Sequence, residues 1–362
     1  MVLKPQNLGV GTLLPTQLAQ VTLMAKELVE LEEEQGNYTP TLAEQVRTAC
    51  DQDKDIRELR KAITAELRTL PESLSHLRSR VSMADCQIVG DQVCYKGKIW
   101  VPEGLRLQVL AAHHDAPAAG HGGQANTHAL IDRSYYWPSL RRDVISYVDG
   151  CEACKRTKAF RDATAKGLHQ LSVPEGPWER LACDFIIALP PSEQDGVTYE
   201  NICVVTDRLT KMRRFIPMHE ITARALADKF IQYVCSQFGL PQSIVTDRGK
   251  QFDSTFWKRM CEGWNCDRDM STAFHPETDG QSENANQFLE QYLRQYCCYL
   301  QNDWVKWLPM AEFAANNHVS ETTKCSPFFA NYGRHPRMGT EPARSLPTGP
   351  LREKAIAVDK KV

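Results

Sequence analysis

The chain has 362 residues, of which 42% are hydrophobic and 24% charged, and its formal net charge is −2. That length allows two or three domains of ordinary globular composition. A negative mean hydropathy, the lack of an apolar run near the roughly 18 to 20 residues of a membrane span, and a start (MVLKPQNLGVGT) with no signal-peptide pattern argue against membrane embedding and secretion.

In chain order, residues 1–80 read as an acidic, helix-forming and partly disordered lead segment. LAQVTLMAKELVELEEE and DIRELRKAITAELRTL carry apolar residues at helical spacing. Residues 26–58 hold ten acids against four bases, a net of −6 that leaves the rest of the chain at +4. The small overall charge therefore does not exclude a nucleic-acid partner. Residues 81–102 predict a small β-unit, because QIVGDQVCYKGKIWVP alternates around Gly90-Asp91 and Lys96-Gly97. Residues 103–166 contain the candidate metal ligands, and residues 167–177, with VPEGPW, form a linker. Residues 178–335 predict strands at LACDFIIALP, NICVVTDRLT and RRFIPMH, a helix at TARALADKFIQYVCSQFG, and a strand at SIVTDRG. A helix at STFWKRMCEGW, a short strand near MSTAF and helices at SENANQFLEQYLRQYCCYL and DWVKWLPMAEFAANN follow. Hairpin-joined strands followed by alternating helix and strand describe an α/β (mixed α+β) fold with helices on the faces of one sheet. Trp304, Trp307, Leu308 and Phe313 read as core. The stripe Phe288, Leu289, Tyr292, Leu293, Tyr296 and Leu300 is either core or an oligomer interface. Residues 336–362 read as a disordered basic tail.

Two constellations carry chemistry. His114 and His121 have six residues between them, and Cys151 and Cys154 follow with two residues between them. Two imidazoles and two thiolates suit tetrahedral Zn²⁺, with His113 an alternative to His114 and His128 a weaker one. Thirteen cysteines with one close Cys-x-x-Cys pair suit a reducing compartment and one metal site. Separately, Asp184 interrupts an apolar strand, Asp247 ends another, and Glu283 opens a helix after HPETDGQ, with 35 residues between it and Asp247. If these converge, their hard oxygens suit Mg²⁺ or Mn²⁺ and in-line displacement at phosphorus. Taken singly, each acid is equally a cap or a turn residue; Asp207 is such a strand-end aspartate without a catalytic role.

The run from His114 to Pro336 resembles the integrase of long-terminal-repeat retrotransposons of the gypsy class, a relative of retroviral integrases. HHDAPAAGHGG, YYWPSLRRDVISYVDGCEACKRTK, PWERLACDFIIALP, VVTDRLTK, IVTDRGKQF, STAFHPETDGQSENANQFLEQYLRQY, DWVKWLPMAEFAANN and SPFFANYGRHP carry the likeness. It implies a small helical domain binding zinc through His114, His121, Cys151 and Cys154. A ribonuclease-H-like catalytic core follows, with the triad Asp184, Asp247 and Glu283 on Mg²⁺ or Mn²⁺. The implied reaction is 3′-end processing and strand transfer into DNA by a homo-oligomer acting in the nucleus, or otherwise in a cytoplasmic particle. RNA is a second possible partner.

The basic stretch with Lys155, Arg156 and Lys158, together with His275, Gln281, Asn286 and Gln287, supplies the expected nucleic-acid contacts. The family carries a basic residue near positions 284 and 285, where this chain has Asn284 and Ala285. The family's C-terminal β-barrel is not expected in this chain, which reads as a polyprotein fragment. The alternative reading is therefore a truncated or co-opted relic that binds DNA, RNA or a protein without concerted integration.

Overall fold

The structure, a computed structural model, describes residues 40–157, 174–246, 254–270 and 276–341, with the backbone alone at 256, 269–270 and 276–283. Thr41 and Glu44 close a capping box at the head of α1 (Leu42–Cys50). Asp53 accepts from the Ile56 N–H at the head of α2 (Lys54–Thr64). Both caps satisfy donors that a helix start leaves open. The strands β1 (Cys86–Val89), β2 (Gln92–Tyr95) and β3 (Lys98–Trp100) then form an antiparallel meander.

Next come α3 (Arg106–His114), α4 (Gln124–Asp132), β4 (Tyr135–Tyr136), α5 (Leu140–Gly150) and α6 (Glu152–Thr157). β4 adds to β3 in parallel, pairing Ile99 with Tyr135 and Trp100 with Tyr136. One core encloses Ile56, Leu59, Val93, Trp100, Ile131, Trp137 and Val144. The boundaries expected at residues 80 and 102 thus cross a continuous core. Strands this short cannot bury a face alone, so they borrow helices from both sides.

The second unit contains β5 (Arg180–Ile186), a hairpin of β6 (Ser192–Gln194) and β7 (Val197–Tyr199), β8 (Asn201–Asp207) and β9 (Arg213–Met218). It continues with α7 (Ala223–Phe230), β10 (Ser243–Thr246), α8 (Thr255–Gly263), β11 (Asp267–Met270), α9 (Pro276–Tyr296), α10 (Trp304–Asn317) and α11 (Pro327–Tyr332). Its sheet has the order β11-β10-β5-β8-β9. β5, β8 and β9 are antiparallel neighbours, while β10 runs parallel to both β5 and β11. This is the ribonuclease-H-like arrangement.

Strand side chains alternate between the two faces. Cys183, Cys203 and Val205 meet Phe230 and Trp257 on one side. Ile202 and Val204 meet Leu289, Tyr292, Leu308 and Ala311 on the other. Asp184 pairs with Val204, which places it on the α9 and α10 face.

Several expectations change. The last strand is Asp267–Met270, its ladder starting at Ser243↔Asp267; it reaches the first residue of the expected MSTAF segment, and residues 271–274 lie outside the described residues. Helix α9 begins at Pro276, so HPETDGQ is not a loop up to Glu283. Proline suits the first turn, and Glu277 and Asp279 favour a helix N-terminus. The β6–β7 hairpin is unexpected. Of the tail, residues 338–341 pack back on the first unit: Tyr135 donates to Thr340 O at 2.5 Å, and Thr340 Oγ1 bonds His113 Nε2 at 3.2 Å. No helix among the described residues is long and apolar enough to cross a membrane.

Candidate functional site

His114 closes α3, His121 follows a tight loop, and Cys151 and Cys154 bracket the start of α6. The four ligand atoms all lie within 4.8 Å of one another. Cys154 Sγ is 3.4 Å from His114 Nε2, and Cys151 Sγ is 3.5 Å from His121 Nδ1. Nitrogen and sulfur ligands of tetrahedral zinc, at their usual bond lengths, stand about 3.6 Å apart. The donor set therefore fits zinc in type, number and spacing.

Thr127 decides which nitrogen of His114 faces the cluster. Its hydroxyl donates to Gly122 O at 2.9 Å, so Oγ1 accepts from His114 Nδ1–H at 3.0 Å. The proton is thereby held on Nδ1, and the Nε2 lone pair is left for the metal. Burial lowers the His114 pKa, with the neighbouring His121 adding to the effect and Asp115 opposing it. Burial lowers that of His121 as well, again against Asp115. Neutral imidazoles are the ligating form. His113 is not in the cluster. Its Nδ1 donates to Val109 O at 2.8 Å and its Nε2 meets Thr340. His128 lies outside the cluster too.

The loop between the two histidines is fastened to the second unit. Tyr292 donates to Pro117 O at 3.0 Å, and Tyr296 to Asp115 O at 3.1 Å. His318 Nε2 donates to Ala119 O at 2.6 Å, and Arg133 grips Asn317 through both its side-chain oxygen and its backbone carbonyl. Gly120 has φ +62°, and a Cβ there would sit 2.7 Å from the Ala314 Cβ. Only glycine allows both that backbone and that approach.

In the second unit, Asp184 is half-buried on β5. Its Oδ1 accepts from the Phe185 N–H at 2.8 Å and its Oδ2 from Asn286 Nδ2 at 2.8 Å. Asp247 lies outside the described residues, directly after Thr246, which pairs with Cys183. Glu283 and Gln281 fall within α9, where the backbone alone is described. Lys158 and His275 are outside the described residues.

Lys155 and Arg156 are exposed on α6, Lys155 pairing with Glu152 at 3.3 Å, and Gln287 is half-buried on α9. Ala285 is fully buried, so a basic residue there would point into the core rather than at a phosphate. Asp207 is a buried turn cap that accepts from Thr210 N and Oγ1. Thr127 and the partnership of Asn286 with Asp184 escape sequence reasoning, because no spacing rule links positions 102 residues apart.

The sheet order and the His-His-Cys-Cys group define a protein with a zinc-binding domain ahead of a ribonuclease-H-like domain. Residues 101–159 match the family model of the integrase zinc binding domain. Over 236 residues the chain is 32% identical to the transposon Tf2-3 and Tf2-4 polyproteins of Schizosaccharomyces pombe (strain 972 / ATCC 24843). That alignment takes in 64% of this chain but 17% of each polyprotein, so the chain spans a small part of these relatives. The chain is thus similar to one part of these transposon polyproteins, and its residues 101–159 to the zinc binding domain of integrases.

Among solved structures, the HTLV-2 integrase catalytic core domain in complex with magnesium (dimeric form) is 18% identical with a TM-score of 0.34, over 43% of this chain and 97% of that one. The simian T-cell lymphotropic virus intasome in complex with PP2A regulatory subunit B56 gamma is 17% identical with a TM-score of 0.37, over 65% of this chain and 80% of that one. The fold assignment rests on strand order rather than on these distant likenesses.

Proposed function

We propose that this chain is a metal-dependent DNA polynucleotidyl transferase that trims the 3′ ends of element DNA and joins them to target DNA, with Asp184, Asp247 and Glu283 as its catalytic carboxylates. The observation that carries the reading is the Asn286–Asp184 hydrogen bond. It fastens α9, the helix that includes Glu283, to the strand that bears Asp184. The strand leading to Asp247 is the parallel neighbour of that strand.

Mg²⁺ or Mn²⁺ bound by these acids would stabilise charge on the attacking and leaving oxygens. The chain's own residues orient and bind. The Phe185 N–H and the Asn286 amide fix the plane of the Asp184 carboxylate, and Lys155, Arg156 and Lys158 track DNA phosphates. Residues His275, Gln281 and Gln287 contact the DNA near the reacting end. The protein works as a homo-oligomer on nuclear DNA.

The test is strand transfer in Mn²⁺, using a short duplex with a recessed 3′ end and a plasmid target. Joined product is expected, with Asp184→Asn lowering its rate by roughly a hundred- to a thousandfold, the scale of removing one electrostatic element from an active site. Joining that survives this substitution would overturn the assignment. Specific binding without joining by the unmodified chain would favour the relic reading instead.

A further inference from the structure

We infer that Arg213, Arg133 and Asn317 form a binding site for an oxyanion of the phosphate class, at the seam between the zinc-binding and ribonuclease-H-like domains. Arg213 opens β9, and the Asn316 side chain clasps its backbone from α10, accepting from the Arg213 N–H at 2.8 Å and donating to its carbonyl at 2.9 Å. The Arg213 guanidinium lies over the Phe288 ring, 5.9 Å from the centroid, and Phe288 meets the His318 ring edge-on at 5.7 Å. From the other domain, Arg133 at the C-cap of α4 donates to Asn317.

Two buried donors here have no partner, the Nε of Arg213 and the Nδ2 of Asn317. An arginine only donates, so Arg133 turns the Asn317 Oδ1 toward itself and leaves Nδ2 over. Neither arginine forms an ion pair among the described residues. Glu341, whose charge reaches Arg133, engages its two oxygens with the Met338 and Gly339 N–H groups. Burial pushes both guanidinium pKa values down to about 10 from 12.5, opposed only at Arg133, by Glu341. Both groups therefore stay charged at neutral pH. Water would satisfy the open donors but not the charge, and a charge withdrawn from solvent without a counterion is unfavourable. An oxyanion answers both needs, because guanidinium N–H groups match phosphate oxygens in geometry and sign. Held from both sides, it would fasten β9 and α10 to α4. The inference does not depend on the three catalytic carboxylates.

The experiment is isothermal titration calorimetry of the full chain with inorganic phosphate at constant ionic strength, repeated with a short DNA duplex. Saturable binding is expected. Arg213→Met, which keeps a side chain over Phe288, should weaken it about ten- to a hundredfold, the scale of hydrogen bonds to a charged group. Phosphate should raise the Tm of the wild type and not that of the variant. Asn317→Asp, which sets a carboxylate beside Arg133 in place of the anion, should weaken binding as well and serves if the methionine variant does not fold. The two titrants separate the sources of the oxyanion. If Arg213→Met weakens duplex binding and lowers its salt slope by about one, the site takes a phosphodiester of DNA. If it weakens phosphate binding alone, the site takes free phosphate. Wild-type binding of both titrants by a folded Arg213 or Asn317 variant would overturn the inference.

Discussion

His318 is a neutral imidazole sealed between the histidine loop and the end of α10. Burial, helped by the nearby charges of Arg213, Arg133 and His114, pushes its pKa down to about 4 from 6.5, against the bond to Ala119 that favours the charged form. The unfolded chain takes up this proton near pH 6.5 and the folded chain only near pH 4. Stability is therefore full above the upper value and falls as the pH drops toward the lower one, by about 3 kcal/mol.

His318→Gln keeps a donor for Ala119 without the titration. Urea unfolding at pH 7 and pH 5 should show a flatter pH dependence in this variant than in the wild type. Equal slopes would mean that His318 is not the buried proton acceptor. At this scale the zinc ligands were legible, because their residue types and spacing state the chemistry. The choice of His114 over its neighbour was not. It depends on Thr127, which receives one ring, and on Val109 and Thr340, which occupy the other.

Helix α9 links the two candidate sites. Its first half includes Glu283 and carries Asn286; its second half carries Tyr292 and Tyr296, which hold the loop between the zinc-ligating histidines. Zinc binding is worth folding free energy to a module of this size, so losing it should release that loop. Two neutral hydrogen bonds are worth about 2 kcal/mol together, or about thirtyfold in local opening. Hydrogen exchange at amides 289–296 should accelerate by about that factor when zinc is chelated. Acceleration confined to residues 106–157 would show that α9 is independent of the metal.

The apolar stripe on α9 was open between core and interface. It divides: Leu289, Tyr292 and Leu293 are buried, while Leu300 lies beyond the helix and is 70% exposed. Of the second sheet, β5, β8, β9 and β10 were legible from apolar runs, whereas β11, with the sequence DRDM, has none. The β6–β7 hairpin was not, for apart from its Asp195-Gly196 turn it has no alternating apolar pattern.

Across the molecule, the meander, the zinc-binding domain and the ribonuclease-H-like domain are joined by contacts that no local pattern encodes. β3 pairs with β4 across α3 and α4, and Tyr292 reaches Pro117 over 175 residues. Composition and periodicity report which face of an element is apolar, but not which distant face receives it. The convergence of the three carboxylates has the same character: positions 184, 247 and 283 belong to different elements, and spacing alone does not bring them together.

Anomalous diffraction from crystals grown with Mn²⁺ and DNA bearing a recessed 3′ end tests that convergence most directly. Manganese is expected about 2.0–2.2 Å from an Asp184 oxygen, sharing its coordination with Asp247 or Glu283 and with a DNA phosphate. Manganese bound away from Asp184, or held by Asp184 with neither of the other two acids, would contradict it.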